Sequence, residues 1–237
     1  MSAIQPALRA VLFDMDGTLV ETEQYWGEAM FALADRLGGQ MSEAAREQTV
    51  GTSLRVSMNV LYADLGITRT ERQFRADARW VEDETGRLLA DGVSWRPGAR
   101  ELVAAVRAAG LATALVTTTP RKLASLVLAH IGETAPGAPA FDVTICGDEV
   151  PARKPDPAPY RQAMASLGVE PHGCVVIEDS HAGITAGLAS GAAVLGVPVM
   201  QAVDPAPGLV LRDGLVGVGL GELAEVLAEL ALVDTPA

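Results

Sequence analysis

Ala10-Val11-Leu12-Phe13-Asp14-Met15-Asp16-Gly17-Thr18-Leu19-Val20 is the stretch on which the reading of the whole chain turns. Its first four residues form an apolar run, the pattern of a strand buried on both faces. Two carboxylates follow, two positions apart, before a turn on Gly17-Thr18. Carboxylates at the carboxyl end of a buried strand can hold a hard cation such as Mg²⁺, and one can attack an electrophile while the other handles a proton. A calcium loop would need an acidic or amide residue fifth and Gly sixth in the motif, but Thr18 stands fifth and Gly17 fourth.

Working outward, β-rich runs recur at Arg9 to Asp14, Ala112 to Thr117, Val143 to Cys146, Cys174 to Glu178 and Ala193 to Val197. Helix-length segments with apolar spacing separate them, such as Leu102, Val103, Val106 and Leu123, Leu126, Val127. This alternation predicts an α/β fold, a doubly wound parallel sheet of the Rossmann type covered by helices. The gap from about Val20 to about Pro97 is far longer than one crossover needs. Within it Trp26, Met30, Leu33, Leu37, then Leu54, Met58, Leu61, Leu65, then Phe74, Ala78, Val81, Leu88 keep helical periodicity, which predicts an inserted helical unit. The expected organisation is a core of residues 1–20 and 93–237 with a helical cap over 21–92.

Composition sets the class of partner. The 237 residues are 49% apolar, enough for a sizeable core. A net charge of -12 and the absence of a Lys/Arg run argue against nucleic acid, so an anionic substrate needs a locally positive pocket. No leader follows Met1 and no window approaches a membrane span, so the expectation is a cytoplasmic protein without membrane contact. Cys146 and Cys174 read as buried thiols, and the three histidines are too scattered for zinc.

Three further signals lie at predicted strand ends or in the loops after them. Thr117-Thr118-Thr119-Pro120 offers hydroxyls and backbone amides at a helix start, a place for a phosphate oxygen. Arg153-Lys154-Pro155-Asp156-Pro157 holds Lys154 in a proline-stiffened loop, where its ammonium can neutralise a phosphoryl group. Glu178-Asp179 supplies a second acidic pair. Ligands of open α/β sheets bind outside the carboxyl ends of strands where the order reverses, so strand order 3-2-1-4-5 would bring Asp14, Thr117 and Asp179 together.

In that order, Asp14-Met15-Asp16-Gly17-Thr18, Thr117, Lys154 and Glu178-Asp179 resemble the haloacid dehalogenase (HAD) superfamily over essentially the whole chain. Glu178-Asp179-Ser180-His181-Ala182-Gly183-Ile184, with Ala186-Gly187 and Ser190-Gly191, is similar to the branch containing β-phosphoglucomutase and phosphoglycolate phosphatase. The resemblance implies Asp14 as nucleophile and Asp16 as general acid/base. It implies Thr117, Thr118 and Lys154 as phosphoryl-binding residues, and Asp14, Asp16, Glu178 and Asp179 as the carboxylates around Mg²⁺. Asp16 separates the chain from the dehalogenases, which lack an acid/base aspartate there.

The cap should choose the substrate, a small-molecule phosphate monoester. In β-phosphoglucomutases a histidine aligns with Trp26, an arginine with Leu54 and a lysine with Pro120. All three depart, which favours a phosphatase of small phosphorylated metabolites, with sugar phosphates a candidate class, over a phosphosugar mutase. A catalytically idle binding module is the third reading, against which the intact Asp14, Asp16, Lys154 and Asp179 stand. Arg55 and Arg121 are the candidate substrate contacts at the cap and rim.

Overall fold

The computed structural model describes residues 7–50, 52–135, 137–198 and 203–233; the Met1–Pro6 segment and Gly51 of the cap loop lie outside them. β1 (Ala10–Phe13) leads into four helices, α1 (Glu23–Arg36), α2 (Glu43–Thr49), α3 (Leu54–Asp64) and α4 (Glu71–Leu89). After these come α5 (Ala99–Ala108), β2 (Ala112–Val116), α6 (Arg121–Ile131) and a small hairpin of β3 (Glu133–Ala135) with β4 (Ala138–Pro139). The chain continues through β5 (Val143–Ile145), α7 (Ala158–Leu167), β6 (Cys174–Glu178), α8 (His181–Ser190), β7 (Ala193–Gly196), β8 (Leu209–Leu211) and α9 (Leu220–Val233).

The main sheet runs β5-β2-β1-β6-β7-β8, and every pairing is parallel. Its first five strands stand in the order expected from the sequence. Alternate residues of one strand enter different cores. Val11 and Phe13 pack with Leu115, Ile177 and the inner faces of α5, α6 and α9; Ala10 and Leu12 pack with Val116, Val176 and those of α7 and α8. A strand buried on both faces has no polar positions to alternate, so these strands are continuous apolar runs. β8 was not anticipated: it is only three residues, none fully buried, and so carries little strand signal. The two-residue β4 is equally short.

The inserted helices have a core of their own, in which Met30 and Leu33 of α1 meet Met58 and Leu61 of α3 and Phe74 and Val81 of α4. Three of them match the sequence periodicity. The short α2 does not, because only Ala45 and Thr49 of Glu-Ala-Ala-Arg-Glu-Gln-Thr are buried. Caps define the starts: the Ser42 and Ser53 hydroxyls accept from the Ala45 and Val56 amides, and Thr70 with Gln73 forms a reciprocal capping box that opens α4. The two connections to the sheet run side by side, with Glu21 N donating to Ser94 O and Arg96 pairing with the Glu21 carboxylate at 2.5 Å. Asp83 of α4 also meets Lys122 of α6 at 2.6 Å. Among the described residues no helix is long and apolar enough to cross a membrane.

Candidate active site

Strand register decides what converges. Phe13 pairs with Leu115 on one side and Ile177 on the other, so Asp14, Thr117 and Glu178 emerge at the same edge of the sheet. The Asp14 amide donates to Ile177 O at 3.0 Å, which fixes the residue just beyond the strand. Lys154, from the loop between β5 and α7, reaches under it. Its ammonium donates to Asp14 Oδ1 at 2.6 Å, Glu178 Oε1 at 2.5 Å and Val116 O at 2.7 Å. Three partners use all three of its protons.

This cluster is buried and short of positive charge. Burial works against the Lys154 ammonium, but Asp14 and Glu178 outweigh it and push its pKa above the ordinary lysine value. For Asp14 burial dominates, repulsion from Glu178 adds to it and Lys154 only partly offsets both, so its carboxyl lies well above the usual range. Burial, then Glu178, pushes Asp179 up to about 7. One oxygen each from Asp14, Glu178 and Asp179 lies within 4.8 Å of the others. Three hard oxygen donors facing one ammonium suit a divalent cation, whose charge would make up the deficit.

Neighbouring residues hold the acids in place. Thr18 Oγ1 donates to Asp179 Oδ1 at 3.0 Å, and Tyr160 O–H to Glu178 Oε1 at 2.6 Å. Gly17 has φ +82, and a Cβ there would stand 2.3 Å from Asp179 Oδ2. Gly17→Ala is therefore expected to cost about 1 kcal/mol or more in backbone strain alone and to displace Asp179, lowering both Tm and divalent-cation affinity. An unchanged metal titration would show that Asp179 does not depend on this turn.

Asp16 turns away from the other acids. Its Oδ1 accepts from Thr22 at 2.6 Å, and its Oδ2 from Thr117 at 3.1 Å and Thr119 at 2.8 Å. Above the acids opens a cavity of about 490 Å³, floored by Asp14, Asp16, Lys154 and Asp179 and roofed by α1 to α4, with Trp26, Met30 and Leu54 among the roof residues.

A model of the haloacid dehalogenase-like hydrolase family matches residues 8–191. The chain belongs to the haloacid dehalogenase-like hydrolases. It is 32% identical over 184 residues to a phosphorylated carbohydrates phosphatase of Thermotoga maritima, covering 78% of this chain and 82% of that one. It is 31% identical over 226 residues to hexitol phosphatase B of Escherichia coli K12, covering 93% and 95%. Among solved structures, CbbY from Rhodobacter sphaeroides in complex with phosphate superposes with a TM-score of 0.77 at 27% identity, covering 91% of this chain and 99% of that one.

In this HAD-like hydrolase the structure gathers Asp14, Glu178 and Asp179 around Lys154 but leaves the Asp16 side chain outside the carboxylate group, because three threonine hydroxyls hold it elsewhere. Thr118 is exposed on the cavity wall, whereas the buried Thr117 hydroxyl is engaged with Asp16 and the Thr119 amide. Arg55 and Arg121 are not among the cavity-lining residues. Arg55 lies over the Phe74 ring at 4.1 Å and pairs with Glu71; Arg121 is spent on Glu149, Thr144 and their surroundings. The guanidiniums that do line the cavity belong to Arg46 and Arg153, which the sequence reading passed over. Glycine marks one of them. Gly27 sits inside α1, where Gly costs about 1 kcal/mol relative to Ala, and a Cβ there would come within 2.7 Å of Arg46 Nε.

Proposed function

We propose that this protein is a Mg²⁺-dependent phosphatase of small phosphorylated carbohydrates, working through an aspartyl phosphate on Asp14. The carrying observation is the Asp14 carboxylate at the floor of the cavity, bonded to the Lys154 ammonium and grouped with Glu178 and Asp179. The phosphatase relatives support the reading, and the helices of 21–92 serve in it as the cap.

Asp14 Oδ attacks phosphorus as the bond from phosphorus to the leaving oxygen breaks. Asp16 gives its proton to that oxygen, then takes one from water. The water oxygen attacks phosphorus in turn and frees Asp14 together with inorganic phosphate. The hydroxyls of Thr22, Thr117 and Thr119 set the direction in which Asp16 presents its carboxyl. Lys154 favours the Asp14 anion, which burial and Glu178 oppose, and lies beside the incoming phosphoryl group. Asp14, Glu178 and Asp179 would hold Mg²⁺, which supplies the positive charge that lets a phosphate dianion approach three carboxylates.

Water is the acceptor this cavity favours over a sugar hydroxyl. At the positions where mutases place polar or cationic side chains, Trp26, Leu54 and Pro120 line the wall instead. Phosphate release from sugar phosphates, p-nitrophenyl phosphate and β-glucose 1-phosphate, with and without Mg²⁺, tests the reading. We expect release only with Mg²⁺, poor substitution by Ca²⁺ with its longer bonds of about 2.3 to 2.6 Å, and no build-up of glucose 6-phosphate. Full activity in chelator would sink the metal assignment. Isomerisation faster than phosphate release would replace phosphatase with mutase.

A further inference from the structure

The wall opposite the catalytic acids carries a charge pattern that the proposed chemistry does not use. Glu82 of α4 lines the cavity and is partly buried, and among the described residues no donor bonds its carboxylate. The charges acting on it are Arg153 and Lys122 on one side and Asp83 and Asp148 on the other. Lys122 is already paired with Asp83 at 2.6 Å, and Arg153 donates its Nε to Gly147 O at 2.7 Å. Across the cavity Arg46 is also spoken for: it donates to Thr49 Oγ1 at 2.9 Å and Glu23 O at 3.0 Å, and lies 3.5 Å from the Glu23 carboxylate. Away from Lys154, both guanidiniums that line the cavity are thus tied into bonds within the protein.

Resting on the phosphatase reading, we propose that Glu82 is the specificity-determining residue of the cavity, selecting esters whose leaving group is an uncharged polyol and rejecting those that carry a second anionic group. A partly buried carboxylate that no protein donor bonds gains from a ligand that brings protons to it, and neighbouring hydroxyls can each donate to one of its oxygens. A phosphate dianion or carboxylate brings none at neutral pH and meets like charge at low effective dielectric. The remaining wall suits the same ligand. Ser53 and Thr118 offer hydroxyls, and the Trp26 ring offers an apolar face for the C–H side of a polyol.

The experiment compares kcat/KM for sorbitol 6-phosphate, fructose 1,6-bisphosphate, phosphoglycolate and p-nitrophenyl phosphate in the parent, Glu82→Gln and Glu82→Lys proteins, all with Mg²⁺. The parent should prefer sorbitol 6-phosphate over both competitors that carry a second anionic group by at least about tenfold, the step that one unfavourable charge contact of about 1.4 kcal/mol produces. Glu82→Lys should move the ratio of bisphosphate to sorbitol phosphate upward by about tenfold, with Glu82→Gln between. A parent that hydrolyses fructose 1,6-bisphosphate or phosphoglycolate as well as sorbitol 6-phosphate overturns the proposal. So does a folded Glu82→Lys protein whose ratio has not moved. Failure to release phosphate from any of the four, p-nitrophenyl phosphate included, would bring down the phosphatase reading and this inference with it.

Discussion

Asp14→Asn is expected to abolish turnover, by a factor on the order of 10⁴ or more, while leaving the protein at least as stable as the parent in chelator. The two halves of this result have one cause. The amide keeps the shape of the side chain and can still accept from Lys154, but it cannot supply an anionic nucleophile. It also removes a charge that burial, Glu178 and Asp179 all disfavour, and that Lys154 only partly repays. Lys154 keeps Glu178 as a partner at 2.5 Å, so the ammonium is not stranded. Phosphate release and a melting curve at neutral pH check both halves. Parent-like activity would remove Asp14 as nucleophile; a large drop in Tm would show that the Asp14–Lys154 pair contributes more than desolvation takes away.

The parts of this fold that could be read from the sequence are those where one physical demand fixes several residues at once. A parallel strand buried on both faces must be apolar throughout, so β1, β2, β6 and β7 were visible as runs, and the reactive residues were visible because they interrupt such runs at their carboxyl ends. The cavity wall was not readable in this way. Arg46, Glu82 and Arg153 are polar residues on helix surfaces or loops, and the same letters would serve equally on a face open to solvent. Whether α2 and α4 turn them toward the sheet depends on packing between helices. Arg55 and Arg121 show the converse: their sequence neighbourhood placed them at the substrate, and Glu71 and Glu149 hold them elsewhere. Tyr160 of α7 packs its ring in the core like any apolar residue there, and nothing in the sequence marks that its hydroxyl reaches Glu178. Gly27 carried a usable signal, since a glycine inside a helix costs stability and implies that something occupies its Cβ position.

Lys154→Met should lower turnover by about 10³, in the range found when a preorganised charge or donor is removed from a developing phosphoryl or oxyanion centre. Its effect on stability should depend on pH in a direction fixed by the carboxyls around it. The side chains are similar in volume, so packing changes little, while Asp14 and Glu178 lose the cation that bonds both. Breaking a buried ion pair by removing one member costs about 3–5 kcal/mol when the remaining charge must stay. Here it can be lost by protonation. Asp14 already titrates well above its ordinary value near 3.8, and without Lys154 it must titrate higher still. A carboxyl whose folded pKa exceeds its unfolded one costs nothing below the unfolded value and its full penalty above the folded value. The variant should therefore fall furthest below the parent in chelator at pH 8 and approach it near pH 5, and Mg²⁺ should restore part of the loss at pH 8 by replacing the missing charge. Melting curves at the two pH values, with and without Mg²⁺, decide the matter: an equal loss at both would mean that Lys154 holds this site together by packing and not by its charge.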